Sequence, residues 1–386
     1  MITEQVAVDA YIVDGVRPSR VARPKDAHEV AAVVIAANAD HAAVVLFGGR
    51  TRSEVGDAPT RYDVAVDLRG VSGVVDHSPA DLVCVVRAGT TLAELASALA
   101  SKGQRWPVDA PDPGRATVGG TIASAAATPS RLRHQHVRDW VIGCEAVLGD
   151  GTCARAGGRV VKNVTGYDLS RLYSGSFGTL AALVEVNLKL AAVDEATRVL
   201  VLRDRDISRL ARIATELRAE LPLDSIVLSS VEGALYVRIA GAAAAVERVA
   251  RDVLSHGAFA DAQVAELQRV VDRTTAEGDV ARIATAPGKE VGRLFGNDDE
   301  LRAGDAVAFV GAGSAFLFGA RSDEQLRVTR ERVEADGGAL VVERIVPARR
   351  RALGTWGALR APAAIHQALK HRFDPNGVLA PGRIPA

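Results

Sequence analysis

Leu46-Phe47-Gly48-Gly49-Arg50-Thr51-Arg52-Ser53 is an apolar run that breaks into paired glycines and then into basic and hydroxyl residues. Glycines let a backbone approach a ligand and take up φ > 0. Successive N–H groups in such a turn form an anion-binding concavity. Thr51 and Ser53 add hydroxyl donors, and Arg50 and Arg52 add charge. Taken alone, the stretch fits a solvated strand–turn as well as a phosphate cradle.

The sequence around it alternates between strand and helix signals. Residues 43–47 and 64–68 read as strands, as do residues 82–86. Asp26 is placed to cap a helix whose one face carries Val30, Val33, Val34 and Ala37. Thr91 is placed to cap a helix over 92–102 that Gly103 ends. Interleaving continues to about residue 190 without a regular βαβ period, which predicts an α+β fold of several short sheets. Residues 194–345 predict two rounds of strand, helix and strand, that is, an antiparallel sheet with helices on one face. The tail holds a helix over 362–371 and then Phe373-Asp374-Pro375-Asn376-Gly377…Pro381-Gly382-Arg383. Phe373 and the apolar helix face favour docking of this segment over fraying.

Further glycine-rich stretches follow the first. Ala116-Thr117-Val118-Gly119-Gly120-Thr121-Ile122-Ala123-Ser124 keeps side chains small over a length suited to a large flat ligand; a tightly packed helix start is the other reading. Gly157-Gly158-Arg159-Val160-Val161-Lys162-Asn163-Val164-Thr165-Gly166-Tyr167-Asp168-Leu169 is too polar for a core strand. Neither G-x-G-x-x-G nor G-x-x-x-x-G-K-[ST] occurs, so nicotinamide cofactors and nucleotide hydrolysis are not supported.

The chain has 386 residues, of which 48% are hydrophobic and 24% charged, with a formal net charge of zero. That composition is globular, and no basic field is available for nucleic acid. Cys84, Cys144 and Cys153 lack C-x-x-C spacing and read as small core residues, so no iron–sulfur cluster is expected in this chain. The N-terminal residues lack the pattern of a secretory signal, and no run reaches the length of a transmembrane segment, which sets cytoplasmic residence as the expectation. Peripheral attachment to a membrane through a partner stays open.

The order of motifs brings a resemblance. Gly48-Gly49, Val66-Asp67-Leu68, Ala80-Asp81-Leu82…Ala88-Gly89, Thr117-Val118-Gly119-Gly120, Arg138-Asp139-Trp140-Val141-Ile142-Gly143 and Gly149-Asp150-Gly151 follow one another. Over residues 16–192 this succession resembles the FAD-binding domain of the vanillyl-alcohol-oxidase and p-cresol-methylhydroxylase (PCMH) type flavoenzymes. Residues 160–172 and Gly175-Ser176-Phe177-Gly178-Thr179-Leu180 are most similar to the FAD-binding subunits of glycolate oxidases. The tail resembles that family's C-terminus, with Ala380 where Asn is usual.

The resemblance implies a PCMH-type FAD-binding domain of two subdomains (1–193), an antiparallel, ferredoxin-like cap or substrate domain (194–345) and a C-terminal segment (346–386) folded back on the first. It places Gly48, Gly49, Arg50, Thr51, Arg52 and Ser53 on the FAD pyrophosphate. Thr117, Val118, Gly119, Gly120, Ala123 and Ser124 would run along the pyrophosphate and flavin, and Val141 and Ile142 would meet the adenine end through their backbone. Lys162, Asn163 and Tyr167 would stand near the isoalloxazine, with Arg383 reaching in from the tail. The loop offers no His or Cys for a covalent bond, so FAD is expected to be held non-covalently.

Oxidation of a 2-hydroxy acid asks for a cation on the substrate carboxylate and a base for the hydroxyl proton. Arg282 on a cap strand is the candidate cation, against a solvated strand face; Lys162 and Tyr167 are the candidates for proton handling. The His-rich metal motif of related hydroxy-acid enzymes does not occur, and no metal site is assigned. His134 and His136 would share a face if that segment were extended. The expectation is an FAD-dependent oxidoreductase subunit acting with a paralogous flavoprotein and an iron–sulfur subunit. The alternatives are a non-catalytic FAD-holding subunit and a stand-alone oxidase of a sugar or alcohol.

Overall fold

The structure, a computed structural model, describes residues 8–159, 166–275, 277–295, 305–358 and 363–385. The first half of the chain builds two sheets. A three-stranded parallel sheet has Val64–Asp67 between Arg20–Ala22 and Val44–Phe47. A five-stranded antiparallel sheet runs in the order Val74–Ser78, Val83–Arg87, Ala181–Lys189, Val141–Leu148, Cys153–Gly157. The helix Ala27–Ala39 begins where Asp26 accepts the Glu29 N–H, as its sequence predicts. Its buried Val30, Val34 and Ala37 pack with Val44, Val64 and Val66 of one sheet and Val147, Ala182 and Val184 of the other. That helix therefore cements the two sheets, and a cleft is left between them.

The remaining strands form one eight-stranded sheet. Its order is Ala260–Ala262, Ala196–Arg203, Ala234–Gly241, Ser225–Ser229, Ala306–Phe309, Ser314–Phe318, Val280–Ala284, Ala339–Arg344, with every neighbouring pair antiparallel. The chain passes twice through strand–helix–strand–strand–helix–strand, each round giving the spatial order 4-1-3-2. The rounds meet where Ser225–Ser229 pairs with Ala306–Phe309. This is two ferredoxin-like units joined strand 2 to strand 2. Alternation sets the faces: Ile226, Leu228, Ala306 and Ala308 join the core beneath the helices Ile207–Glu220, Ala243–Ser255 and Asp323–Ala335. Val227, Val307 and Phe309 face the other way.

That second face corrects the expectation of helices on one side alone. Val264–Asp272 lies there, burying Leu267, Val270 and Val271 against Val199, Val201 and Tyr236. Its signal was local: apolar residues at i, i+3 and i+4 behind a Gln263/Glu266 capping box. The strand Ala306–Phe309 and the helix Lys289–Phe295 also lie outside the sequence expectation. Ala306–Phe309 is buried on both faces, so it is apolar throughout and shows no alternation.

The tail packs onto the first half. Val378 and Leu379 are buried with the Ala27–Ala39 helix, and Leu379 pairs in parallel with Val44. Asp374 fixes the turn by accepting the N–H groups of Val378 (2.9 Å) and Leu379 (2.8 Å) and an ion pair from Lys370 (2.5 Å).

Candidate functional site

The cleft between the parallel sheet and the five-stranded sheet encloses about 850 Å³, its open mouth included. Gly48, Gly49, Arg50, Thr51, Arg52 and Ser53 form one wall. Thr117, Gly119, Gly120, Ala123 and Ser124 form the other, and Arg383 closes an end. The volume suits a large cofactor. It exists because both walls come unusually close behind it. A methyl group on Gly49 would lie 1.6 Å from the Arg115 carbonyl oxygen, and one on Gly48 2.1 Å from Thr117 Oγ1. Gly119 seats directly on Ala88, where an added carbon would sit 2.7 Å from its Cβ.

Arg50 stands at φ +62° immediately after the glycine pair, and Phe177 across the cleft at φ +51°. Non-glycine residues in the left-handed region carry strain that commonly sits at ligand sites. No hydrogen bond of the described residues takes the N–H groups of Gly49, Arg50, Thr51 or Arg52. The Ser124 hydroxyl, Arg50 Nε and Arg52 Nε are buried without a partner. Unpartnered buried donors are costly unless a ligand takes them. A wall of free amides and orphaned donors is what a diphosphate requires, so the cleft fits FAD.

The guanidinium groups are used differently from the sequence expectation. Arg50 donates to the Ala10 carbonyl (2.7 Å) and lies over the Tyr11 ring. Arg52 bonds Glu343 of the eight-stranded sheet (2.7 Å). Arg383 is buried and donates to the carbonyls of Ser53 (2.6 Å), Val55 (2.5 Å) and Asp57 (3.1 Å). Burial, then the nearby Arg350 charge, lowers the Arg383 pKa to about 10. The loop thus meets a ligand with backbone amides, while its arginines hold the loop in shape.

The structure does not bring every expected residue to the cleft. Val118 and Val141 are core residues, and Ile142 lies away from the cleft lining. Tyr167 is 90% exposed. Lys162 and Asn163 lie outside the described residues. His134 and His136 are not on an extended segment: the chain is helical at Arg131–His134. His134 pairs with Asp224 of the large sheet (3.3 Å). His136 is kept neutral, burial first and then Arg131 and Arg138 lowering its pKa to about 4. Leu46, Leu68, Ala88, Phe177 and Leu183 also line the cleft, although none was assigned to the cofactor residue by residue. Their apolar side chains read as core, and only the Gly175–Thr179 motif pointed to Phe177.

Arg282 sits on Val280–Ala284 with its side chain 17% exposed, its Nε bonded to Glu343 (2.6 Å). Arg131 is half-buried, and burial together with the Arg138 and Arg282 charges lowers its pKa. Where the cleft wall meets the large sheet, Arg52 and Arg282 therefore share the buried carboxylate of Glu343, with the Arg131 charge close enough to Arg282 to be felt there.

Residues 18–157 match the FAD binding domain family. The chain is 32% identical over 355 residues to the glycolate oxidase subunit GlcE of Escherichia coli, covering 90% of this chain and 94% of that one. It is 31% identical over 269 residues to a D-2-hydroxyglutarate dehydrogenase of Xanthomonas citri, of which it spans 53%. It is 28% identical over 202 residues to the glycolate oxidase subunit GlcD of Bacillus subtilis, of which it spans 43%. The fold matches that of alkyldihydroxyacetonephosphate synthase with TM-score 0.68 at 15% identity, over 95% of this chain and 77% of that one.

Proposed function

The chain belongs to the PCMH-type FAD-binding oxidoreductases that include the glycolate oxidase subunits GlcE and GlcD, and on that premise we propose that it oxidises a small 2-hydroxy acid as one subunit of a complex. Its cofactor is FAD, which when bound would supply the hydride acceptor. The observation that carries the substrate class is the pair of guanidiniums, Arg52 and Arg282, sharing the one buried carboxylate of Glu343. Two buried cations on one carboxylate leave positive charge in excess, which favours an anionic occupant. Arg282, with Arg131 beside it, holds the substrate carboxylate; Lys162 and Tyr167 remain the candidates for moving the hydroxyl proton.

Residues 48–53, Thr117, Gly119, Gly120, Ala123 and Ser124 hold FAD, with Arg383 behind the loop; Val118, Val141, Ile142 and Asn163 complete the cofactor set proposed from the family. Neither His nor Cys lines the described cleft, which supports non-covalent binding. We divide the chain at 193/194 and 345/346, in keeping with the change of sheet and the returning tail. No helix of the described residues is long and apolar enough to cross a membrane. Cytoplasmic residence, with membrane contact only through partners, accompanies a paralogous flavoprotein and an iron–sulfur subunit that takes the electrons.

A second reading has one observation in its favour: none of the described residues lining the cleft is a histidine able to act as base. The chain would then hold FAD while a partner does the chemistry. Anaerobic addition of glycolate or D-lactate separates the two. Bleaching of flavin in the isolated chain, with Arg282→Met needing at least about tenfold more acid for half-effect, supports catalysis. Unchanged flavin absorbance, with or without the partner subunits, sinks it.

A further inference from the structure

Glu343 belongs to none of the glycine-rich motifs, yet it joins the two parts of the site. It lies on Ala339–Arg344, where Val280 pairs with Arg344 and Ala281 with Val342. Glu343 is thus the extra residue of a β-bulge, a device that re-aims a side chain and kinks the strand. Its carboxylate is 4% exposed. One oxygen, Oε1, accepts both Arg52 Nη2 (2.7 Å) and Arg282 Nε (2.6 Å). Next to it, Arg344 pairs with Glu54, so the loop and the strand end exchange two ion pairs of opposite polarity. Burial alone would raise the Glu343 pKa, but the Arg52 and Arg282 charges outweigh it and hold the carboxyl ionised.

An ionised carboxylate shared by two guanidiniums fixes both, because moving either leaves a buried charge short of a partner. Arg52 is in the cleft wall, one residue from Thr51 and Ser53. Arg282 is not in that wall. We infer that Glu343 is a positioning residue that couples the diphosphate loop to Arg282, so that the grip of the loop on FAD depends on how Arg282 is placed. The inference rests on residues 48–53 being the diphosphate loop.

A double-mutant cycle on FAD affinity tests it. Arg282→Lys keeps the charge and removes the Nε donor, so a long-range electrostatic effect is held constant. FAD binding to the apo-protein is followed by flavin fluorescence, with thermal melting of each apo-variant alongside. Arg282→Lys is expected to weaken FAD binding at least about threefold with Glu343 present, and to change it by less than about 1.5-fold in the Glu343→Gln background. Melting of the apo-variants should stay cooperative. Should Glu343→Gln fail to fold, Glu343→Asp, too short to reach both guanidiniums, replaces it in the cycle. An Arg282→Lys effect that is nil, or equal in both backgrounds, overturns the coupling while leaving the cofactor reading intact. Wild-type protein that does not bind FAD overturns both.

Discussion

At the residue scale, the cleft is made by what is missing and by what is left over. Gly48 and Gly49 lack the atoms that would collide with Thr117 and Arg115. Ser124 keeps a buried hydroxyl with no partner. If that hydroxyl serves FAD, Ser124→Ala should weaken FAD binding by about threefold to tenfold, the worth of one hydrogen bond. The same change should leave apo-protein melting unaltered or slightly raised, since an unsatisfied buried group disappears. Equal FAD affinity in titrations of the two proteins would remove Ser124 from the site. Ala380 offers a related lesson. It sits at φ +44°, where the Asn usual in this family is better tolerated, so the departure in the tail costs backbone strain and leaves the docking in place.

At the scale of elements, the loops depend on partners distant in sequence. The returning tail is held by Asp374, which satisfies two backbone amides and the Lys370 ammonium. Asp374→Ala leaves these donors buried together. A loss of about 3–5 kcal/mol in urea unfolding is expected, with faster digestion of the C-terminus by carboxypeptidase. Because Arg383 reaches the carbonyls of Ser53, Val55 and Asp57 only when the tail is docked, FAD retention should fall as well. Wild-type stability and digestion rates in this variant would show that the turn has another support. The residues Asp374-Pro375-Asn376-Gly377 announced the turn, while its target came only from the resemblance to the family, since turn chemistry is local and docking is not.

At the scale of the whole molecule, the large sheet is fastened to the first half through Asp224. Its buried carboxylate meets Arg238, His134 (3.3 Å) and Arg133 (3.4 Å), and Arg238 reaches on to Asp109 (3.0 Å). Burial opposes ionisation of Asp224, but the His134 and Arg238 interactions outweigh it and depress its pKa well below 3.8. A depressed carboxylate stabilises the fold fully above its unfolded pKa and loses that contribution as pH falls through the folded one. Melting temperature should therefore drop on acidification below about pH 4. Asp224→Asn should lower stability by about 3–5 kcal/mol at neutral pH and flatten part of that acid-side slope. An unchanged acid profile in this variant would assign the slope to other carboxylates.

The sequence alone determined the parts whose cause is local. Paired glycines, N-caps such as Asp26 and Thr91, and short β-branched runs such as Val64–Asp67 declare backbone shape within a few residues, and their order declared the cofactor domain. Only the tertiary structure decided where the charges went. Arg52 was read as a phosphate ligand because its neighbours are glycines, yet its guanidinium bonds a carboxylate 291 residues away. His134 and His136 read as a pair, yet one faces Asp224 of the large sheet and the other is buried among arginines. A long side chain follows the deepest compensation for its desolvated charge, and that partner is chosen by packing between distant segments rather than by adjacent residues.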